Sequence, residues 1–252
     1  MKVVVGIPAR MGSTRFPGKP LCNILGLPMI EHCYKRSSLS AYSTDVFIAA
    51  CDEEIKDVVT SFGGNVIMTD AKIQRPGLRV AAAAQDLNLN DDDIVVVVQG
   101  DEPLVHPDMI DLAIKPLLDD DEVLVSNLCA KVSVDEWQDP AEIKVVCDLS
   151  MNAIYMSRAP IPSIDHEEER ADWWRQVCIM PFRWGFMKKF NHELTPTSLE
   201  LQESVEMNRA IQHGYKVRMV PTEFISKSVD TEADRLIVEE LMKTDTIYPK
   251  YT

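Results

Sequence analysis

The stretch MKVVVGIPARMGSTRFPGKPL, residues 1–21, joins a short apolar run to a loop crowded with cations, glycines and prolines. The run over residues 1–6 predicts a buried strand of an α/β sheet, because such strands are apolar on both faces. Residues 7–21 then form the first loop at the carboxyl end of a strand. Ligands of open α/β sheets bind at that edge, so this loop is a candidate functional site.

Strand-like and helix-like stretches alternate along the chain. Apolar runs predict strands over residues 3–7, 45–50, 65–68, 93–98 and 123–127. Amphipathic spacing and start signals predict helices over residues 29–37, 53–62, 78–86, 107–118 and 233–241. This alternation predicts the α/β class, with a mostly parallel, mixed sheet flanked by helices.

The composition is that of an ordinary globular protein. The chain has 252 residues, of which 46% are hydrophobic and 26% charged. This length favours a single α/β domain over residues 1–252 rather than two independent domains. The net charge of −14 provides no basic field for nucleic acid or an anionic membrane, so we expect neither as a partner.

Targeting and cysteine patterns predict a cytoplasmic protein. Met1 runs directly into the first predicted strand, which leaves no room for a signal peptide. No apolar stretch reaches the roughly 18 residues of a membrane span. The six cysteines contain no CxxC pair, so neither a zinc site nor a disulfide framework is indicated. We expect reduced, mostly buried thiols and no membrane insertion.

The regular alternation weakens from about residue 137 to residue 190, where aromatic residues gather. They are Trp173, Trp174, Phe182, Trp184 and Phe186. We expect a small inserted subdomain there, with an exposed apolar surface that forms a dimer contact.

The opening loop narrowly misses the Walker A motif of P-loop ATPases. The stretch from Gly12 to Gly18 is one residue too long for GxxxxGK, and Lys19 is followed by Pro20 rather than Ser or Thr. A P-loop ATPase is therefore disfavoured.

The loop nevertheless has the composition of a triphosphate site. Glycines permit close backbone approach, hydroxyls donate hydrogen bonds and cations neutralise phosphates. The residues that provide these groups are Arg10, Gly12, Ser13, Thr14, Arg15, Gly18 and Lys19. The alternative is a solvated basic turn that pairs with the many carboxylates of this chain.

Two later segments carry candidate metal ligands. In DIVVVVQGDEPLV, residues 93–105, an apolar strand ends in polar residues that include Asp101. Mg²⁺ binds a few carboxylates together with phosphate oxygens, so Asp101 is a candidate ligand and Asp230, in SVDT, a second. Alternatively, Asp101 caps a helix before Pro103 and Asp230 is the N-cap of the helix predicted over residues 233–241.

Seven motifs in chain order carry a family resemblance. They are IPARMGSTRFPGKPL (7–21), GLPMIEHCYKR (26–36), GGNVIMT (63–69), VVVVQGDEPLV (95–105), IKVVCD (143–148), SRAPIP (157–162) and VDTEAD (229–234). Over nearly its whole length the chain resembles the 3-deoxy-manno-octulosonate (Kdo) cytidylyltransferases, or CMP-Kdo synthetases, as a divergent member. The first and fourth motifs are highly specific to that family.

The resemblance implies a Rossmann-like nucleotidyltransferase fold, a homodimer and dependence on Mg²⁺. It also implies transfer of CMP from CTP to the anomeric hydroxyl of an acidic 3-deoxy sugar, with release of pyrophosphate. The acceptor would be Kdo or a related sugar such as an amino-Kdo. The CMP-activated sugar would serve lipopolysaccharide or capsule synthesis.

The resemblance also assigns roles to residues by their positions in the motifs. The implied catalytic residues are Arg10, Lys19 and Asp101. The implied nucleotide-binding residues are Ala9, Arg10, Gly12, Ser13, Lys19, Gln74 and Arg79. The implied sugar-binding residues are Gln99, Arg158, Gln176, Glu203 and Glu206. The implied magnesium ligands are Asp101 and Asp230.

The chain departs from the family pattern in three stretches. Where the family reads HQSGTER, residues 73–79 read IQRPGLR and retain only Gln74 and Arg79. Where it reads RHLGIYGYR, residues 175–183 read RQVCIMPFR. In the third stretch, SLELQESVEMNR (198–209), Met207 replaces a glutamine, whereas the family pattern is matched by Glu200, Glu203, Glu206 and Arg209. Changed polar groups in a pocket alter specificity more readily than the reaction.

Two other functions stay open at this point. One is a nucleotidyltransferase with a different base or acceptor, such as another sugar or a phosphonate. The other is a catalytically silent sensor that binds nucleotide. Retention of Lys19, Asp101 and Asp230 argues against silence, because binding alone does not require two metal carboxylates.

Overall fold

The computed structural model describes residues 1–13, 15–163, 173–224 and 227–252. The described strands are β1 (Val3–Pro8), β2 (Asn23–Ile24), β3 (Leu27–Pro28), β4 (Asp45–Ala50), β5 (Val66–Met68), β6 (Ile94–Val98), β7 (Ser126–Lys131), β8 (Lys144–Cys147), β9 (Ala153–Ser157), β10 (Trp174–Val177), β11 (Ile179–Arg183) and β12 (Arg218–Thr222). The described helices are α1 (Met29–Ser37), α2 (Glu53–Ser61), α3 (Pro76–Ala84), α4 (Pro107–Asp119), α5 (Val134–Gln138), α6 (Trp184–His192), α7 (Ser198–Glu203), α8 (Met207–Gln212) and α9 (Glu232–Met242).

Five of these strands form a central sheet in the order β11–β6–β1–β4–β5. The β1 strand pairs in parallel with β4 and β6, and β4 pairs in parallel with β5. The β11 strand is antiparallel to β6 at the edge. The predicted α/β class, with a mostly parallel, mixed sheet, is confirmed.

Helices cover both faces of the central sheet, which explains why its strands are apolar throughout. Val3, Val5 and Ile7 of β1 belong to a core cluster with α1, α2 and α4. Val4 and Phe47 belong to the opposite cluster, with α3 and α6. The polar residues that follow the strands are therefore confined to the ends of the sheet.

A second sheet has the order β12–β7–β10–β8–β9 and was not predicted. Its pairings are antiparallel except that of β12 with β7. The region predicted as a subdomain, about 137–190, contributes β8, β9 and β10 to this sheet and β11 to the central one. Its residues 164–172 lie outside the described part, and the division into a domain and a subdomain stays a prediction.

The aromatic residues of that region are mostly buried, and the exposed large apolar residues among its described positions are Leu149 and Ile154 instead. A dimer contact there stays a prediction. Trp173, Phe182, Trp184 and Phe186 are all buried. Phe182 of β11 and Phe186 of α6 stack on each other in the core. Aromatic side chains bury a large apolar area, and here they fill the core.

Most of the predicted elements of the first half are present. The predicted strand over residues 123–127 is displaced, because β7 begins at Ser126. All six cysteines are free thiols, but only Cys33 and Cys129 are fully buried. None of the helices in the described ranges has the length and apolar character that crossing a bilayer requires.

Candidate active site

A cleft of about 390 Å³ opens at the carboxyl ends of β1 and β6. Because these strands are parallel neighbours, the residues that follow them meet at one edge of the central sheet. All the predicted catalytic, nucleotide-binding and metal-binding residues line this cleft: Ala9, Arg10, Gly12, Ser13, Lys19, Gln74, Arg79, Asp101 and Asp230. Thr14, a predicted hydrogen-bond donor, lies outside the described residues.

Lys19 lies between the two predicted metal ligands. Its Nζ is 2.7 Å from Asp101 Oδ2 and 3.0 Å from Asp230 Oδ1. Burial of the side chain favours the neutral amine, but the two carboxylates outweigh this effect and raise the pKa of Lys19. The cleft therefore holds a charged ammonium at neutral pH, with a carboxylate on each side.

A backbone hydrogen bond fixes the two carboxylates near each other. The Val229 N–H donates to the Asp101 carbonyl oxygen over 2.9 Å, which docks the segment before α9 onto the end of β6. The helix-cap alternatives are wrong, since Thr231 is the N-cap of α9 and His106 is the N-cap of α4. Both aspartate side chains face the cleft instead.

The donor set suits a magnesium ion that arrives with phosphate oxygens. Asp101 and Asp230 offer hard oxygen donors that already converge on one cation, the Lys19 ammonium. Magnesium in nucleotide sites takes one or two protein carboxylates, with phosphates and waters as the other ligands. Across the described ranges no cluster of three or more His, Cys, Asp or Glu forms a metal site.

The two loop arginines lie at the rim of the cleft. Arg10 is exposed, and its Nη1 donates to Gln74 Oε1. Arg15 pairs with Asp230, with Nη2 3.0 Å from Oδ1. Arg15 thus pairs with a carboxylate, as the solvated-turn alternative predicts. The pair nevertheless lines a cleft that can take a ligand.

Arg79 has a different environment. It is buried, and its guanidinium donates to the Thr69 hydroxyl and the Ile73 carbonyl. These bonds hold residues 69–79 in a fixed turn against the cleft. Arg79 therefore supports the wall on which Gln74 lies.

A second cavity of about 420 Å³ adjoins the cleft. The two cavities share the lining residues Gln74, Pro76 and Gln99. Four of the five predicted sugar-binding residues line this cavity, which we call the acceptor cavity: Gln99, Arg158, Gln176 and Glu206.

The fifth predicted residue, Glu203, supports Arg158 rather than lining the acceptor cavity. Its carboxylate accepts hydrogen bonds from the Tyr155 hydroxyl (2.7 Å), the Ser157 hydroxyl (2.7 Å) and the Arg158 N–H (2.8 Å). Arg158 Nε donates to the Glu203 carbonyl over 2.9 Å. Burial disfavours the carboxylate, but these hydrogen bonds outweigh it and lower the pKa of Glu203.

Three of the residues that depart from the family motif over 175–183 lie on the wall of the acceptor cavity. Gln176, Cys178 and Met180 all line it. Gln176 Nε2 donates to Asn127 Oδ1 over 2.5 Å, which anchors the amide in the second sheet. The cavity wall is thus apolar at Met180, where the family motif has a tyrosine.

Glu206 is an acidic residue on the wall of this cavity. Its Oε2 accepts a hydrogen bond of 3.3 Å from the Gly77 N–H, whereas its buried Oε1 has no hydrogen-bond partner. Burial raises the pKa of Glu206 above its usual value of 4.5. Glu206 thus carries one unpartnered oxygen that is enclosed by protein atoms.

Two further residues of this cavity, Arg75 and Glu200, were not among the site residues predicted from the sequence. Both line the acceptor cavity, and they form an ion pair with each other. The sequence signal for Arg75 was its position: it is a cation next to the predicted site residue Gln74, in a segment that departs from the family motif.

Comparison with known proteins agrees with the geometry. A cytidylyltransferase family model matches residues 4–219. The 3-deoxy-manno-octulosonate cytidylyltransferase of Geobacter metallireducens is 38% identical over 255 residues, which cover 96% of this chain and 99% of that protein. The chain belongs to the 3-deoxy-manno-octulosonate cytidylyltransferase family.

Other relatives within this cytidylyltransferase group include enzymes named for a different sugar. The 8-amino-3,8-dideoxy-manno-octulosonate cytidylyltransferase of Shewanella piezotolerans is 38% identical and is covered over its full length. The solved structure of a CMP:2-keto-3-deoxy-manno-octonic acid synthetase with CTP matches at a TM-score of 0.90 and 33% identity, covering 96% of this chain and 99% of that one. The family and fold predicted from the motifs are confirmed.

Proposed function

We propose that the protein transfers CMP from CTP to the anomeric hydroxyl of an acidic 3-deoxy sugar and releases pyrophosphate. The acceptor is Kdo or a related sugar such as an amino-Kdo. The relatives named for these two sugars are equally similar to this chain, at 38% identity.

One observation carries this proposal: a cationic cleft and an acceptor cavity share a wall. The Lys19 ammonium, with Asp101 and Asp230, lies in the cleft, and Arg158 lies in the adjoining cavity. A nucleotide triphosphate fits the cationic cleft, and the carboxylate of an acidic sugar fits an arginine. Gln99 lines both cavities, at the place where the two substrates would meet.

The reaction at this place is an in-line displacement at phosphorus. The anomeric oxygen bonds to the α-phosphorus and loses its proton, while the bond from that phosphorus to the bridging oxygen breaks and pyrophosphate leaves. Negative charge develops on the phosphoryl and leaving oxygens. Lys19 and Arg10 are positioned to neutralise it, and fixed charges of this kind act strongly where water is excluded.

We propose Asp101 and Asp230 as the magnesium ligands. The ion would neutralise phosphate charge and make the acceptor hydroxyl easier to deprotonate. Lys19 would then turn from the carboxylates toward the phosphates. A homodimer and a cytoplasmic location remain predictions of the family resemblance.

The base pocket is proposed at Gln74 and Arg79. Both residues line the cleft, and Arg79 is held rigidly by its own hydrogen bonds. A pyrimidine fits beside this braced wall, whereas a larger purine would clash with it. We therefore expect CTP to bind more tightly than ATP or GTP.

The decisive experiment measures pyrophosphate release with each nucleoside triphosphate in the presence of Mg²⁺. The acceptors are Kdo, 8-amino-3,8-dideoxy-manno-octulosonate and a neutral hexose as a control. We expect release with CTP and the acidic 3-deoxy sugars only. Release with another nucleotide or with the hexose would favour a different base or acceptor. Binding of CTP without release from any acceptor would favour the silent sensor.

A further inference from the structure

The segment over residues 73–77 separates the two cavities and contributes to both. Gln74 lines both the cleft and the acceptor cavity, and Arg75 lines the acceptor cavity. Gln74 Oε1 also accepts a hydrogen bond from Arg10 on the nucleotide loop. The position of this short segment therefore affects both binding sites.

An ion pair joins the segment to the helices behind the acceptor cavity. Arg75 Nη1 pairs with Glu200 Oε1 of α7. Glu200 is only 2% exposed, and its other oxygen accepts a hydrogen bond of 2.8 Å from Arg209 Nε of α8. Glu200 is thus held by Arg209 independently of Arg75, and it offers Arg75 a fixed anchor.

A second contact joins the same two parts of the protein. The Gly77 N–H donates to Glu206 Oε2 over 3.3 Å, and Glu206 precedes α8 on the wall of the acceptor cavity. Arg75 and Gly77 flank Pro76, whose ring restricts the backbone between them. Together the contacts connect the segment to α7 and to the residue that precedes α8, while Gln74 itself is held, among the described residues, only by exposed hydrogen bonds.

We propose that Arg75 is a positioning residue that couples occupancy of the acceptor cavity to the affinity of the nucleotide cleft. This proposal rests on the proposed function, because it takes an acidic sugar and CTP as the two ligands. Arg75 lies in the segment that departs from the family motif, so the coupling is a property of this chain's own residues.

The physical basis is the ordering of one segment by two ligands. A sugar that fills the acceptor cavity packs against Arg75 and Glu206 and restricts residues 73–77. Gln74 is then already ordered when the nucleotide binds, so CTP loses less conformational freedom. CTP must tighten binding of the sugar by the same factor by which the sugar tightens binding of CTP, because coupling between two binding equilibria is reciprocal.

The test compares binding of α,β-methylene-CTP with and without saturating Kdo. Displacement at its α-phosphorus would have to break a P–C bond instead of a P–O bond, so both ligands bind without turnover. For the wild-type protein we expect Kdo to tighten nucleotide binding by about fivefold or more, within the usual range of coupling. For Arg75→Gln we expect the factor to fall toward one, while the melting temperature remains near that of the wild type.

Two further variants separate positioning from general effects. Arg75→Lys retains a cation that reaches Glu200, so we expect it to restore part of the coupling. Lys72→Gln removes an exposed charge from the same region and should leave the coupling unchanged. In steady-state assays Arg75→Gln should raise the KM for CTP more than it lowers kcat.

Failure of the two proposals gives different results. If the wild-type protein binds neither ligand, the proposed function is wrong and the coupling with it. If the wild-type protein turns over and Arg75→Gln retains the full coupling factor, the function stands and the role of Arg75 is wrong. Equal loss of coupling in Lys72→Gln would assign the effect to net charge and would also overturn the proposal.

Discussion

The Lys19 ammonium lies 2.7 Å from the Asp101 carboxylate, although the two residues are 82 positions apart in the chain. Lys19 comes from the loop after β1, and Asp101 follows β6, the parallel neighbour of β1. The pair therefore exists because two adjacent strands end at one edge of the sheet. It joins the two motifs most specific to the family.

Replacement of Lys19 or Arg10 by alanine should lower turnover without unfolding the protein. Each change removes a cation that we propose neutralises the transferring phosphate, and we expect a loss of about 10²–10³-fold in kcat. Pyrophosphate release at saturating CTP and acceptor measures it.

The matched control for Lys19→Ala is Lys188→Ala. Lys188 also pairs with an aspartate, Asp91, over 2.6 Å, but it does not line the cleft. Its loss should leave turnover unchanged. Wild-type rates in both Lys19→Ala and Arg10→Ala would show that the loop does not act on the phosphates.

Gly100 should not tolerate a side chain, because β1 and β6 approach closely where they end. A Cβ on Gly100 would lie 2.6 Å from the Pro8 carbonyl oxygen, which belongs to the backbone and cannot move aside cheaply. We expect Gly100→Ala to lower the free energy of unfolding by about 1–3 kcal/mol and to displace Asp101.

Urea unfolding of Gly100→Ala and Gly12→Ala checks this steric explanation. A Cβ on Gly12 would meet no atom within 4 Å, so its stability should stay close to that of the wild type. Equal stability of the two variants would contradict the close approach of β1 and β6.

The central sheet was predictable because its strands are continuous apolar runs, such as that of β6. The second sheet was not, because its strands are mixed in composition. In β10, for example, Arg175 and Gln176 stand between apolar residues, and no regular alternation marks a strand. The displaced β7 begins after the apolar residues that suggested it, because Val123 and Val125 fill the core outside the strand.

The site was predictable at its two strand ends and less so between them. Motifs located Lys19 and Asp101, since local sequence determines both. The ion pair between Arg75 and Glu200 joins residues 125 positions apart. Arg75, moreover, lies in a segment that departs from the family motif. Only the packing of α7 against residues 73–77 brings them together.

Glu206→Gln should stabilise the protein at high pH. The pKa of Glu206 is raised in the folded state, so folding favours the protonated acid. That contribution is fully present below the unfolded pKa and is lost as the pH rises through the folded pKa. Glutamine is always neutral and avoids this loss. The free energy of unfolding of Glu206→Gln should therefore exceed that of the wild type above the folded pKa, with the difference vanishing below the unfolded pKa.

Glu203→Gln provides a control of opposite sign. The pKa of Glu203 is lowered by its hydrogen bonds, which outweigh burial, so its contribution is present above the unfolded pKa and is lost as the pH falls through the folded pKa. Glu203→Gln should be less stable than the wild type at neutral pH and should approach it in acid. Urea unfolding at a series of pH values measures both variants, and parallel profiles would contradict the two assignments.

Asp101→Asn and Asp230→Asn should lose most of their turnover while melting near the wild-type temperature. Neither aspartate caps a helix, because His106 and Thr231 hold those positions, so a cap is not lost in either variant. Asparagine retains an oxygen donor but removes one negative charge, and a hard divalent ion is then bound less tightly.

Raised Mg²⁺ distinguishes loss of a metal ligand from loss of the Lys19 ion pair. If the carboxylates bind magnesium, the rate of each variant should recover in part as Mg²⁺ increases, and CTP titrations should show a higher Mg²⁺ requirement. A shared role in positioning Lys19 alone would lower the rate by the same factor at every Mg²⁺ concentration. Wild-type turnover of both variants in limiting Mg²⁺ would show that neither carboxylate takes part in the reaction.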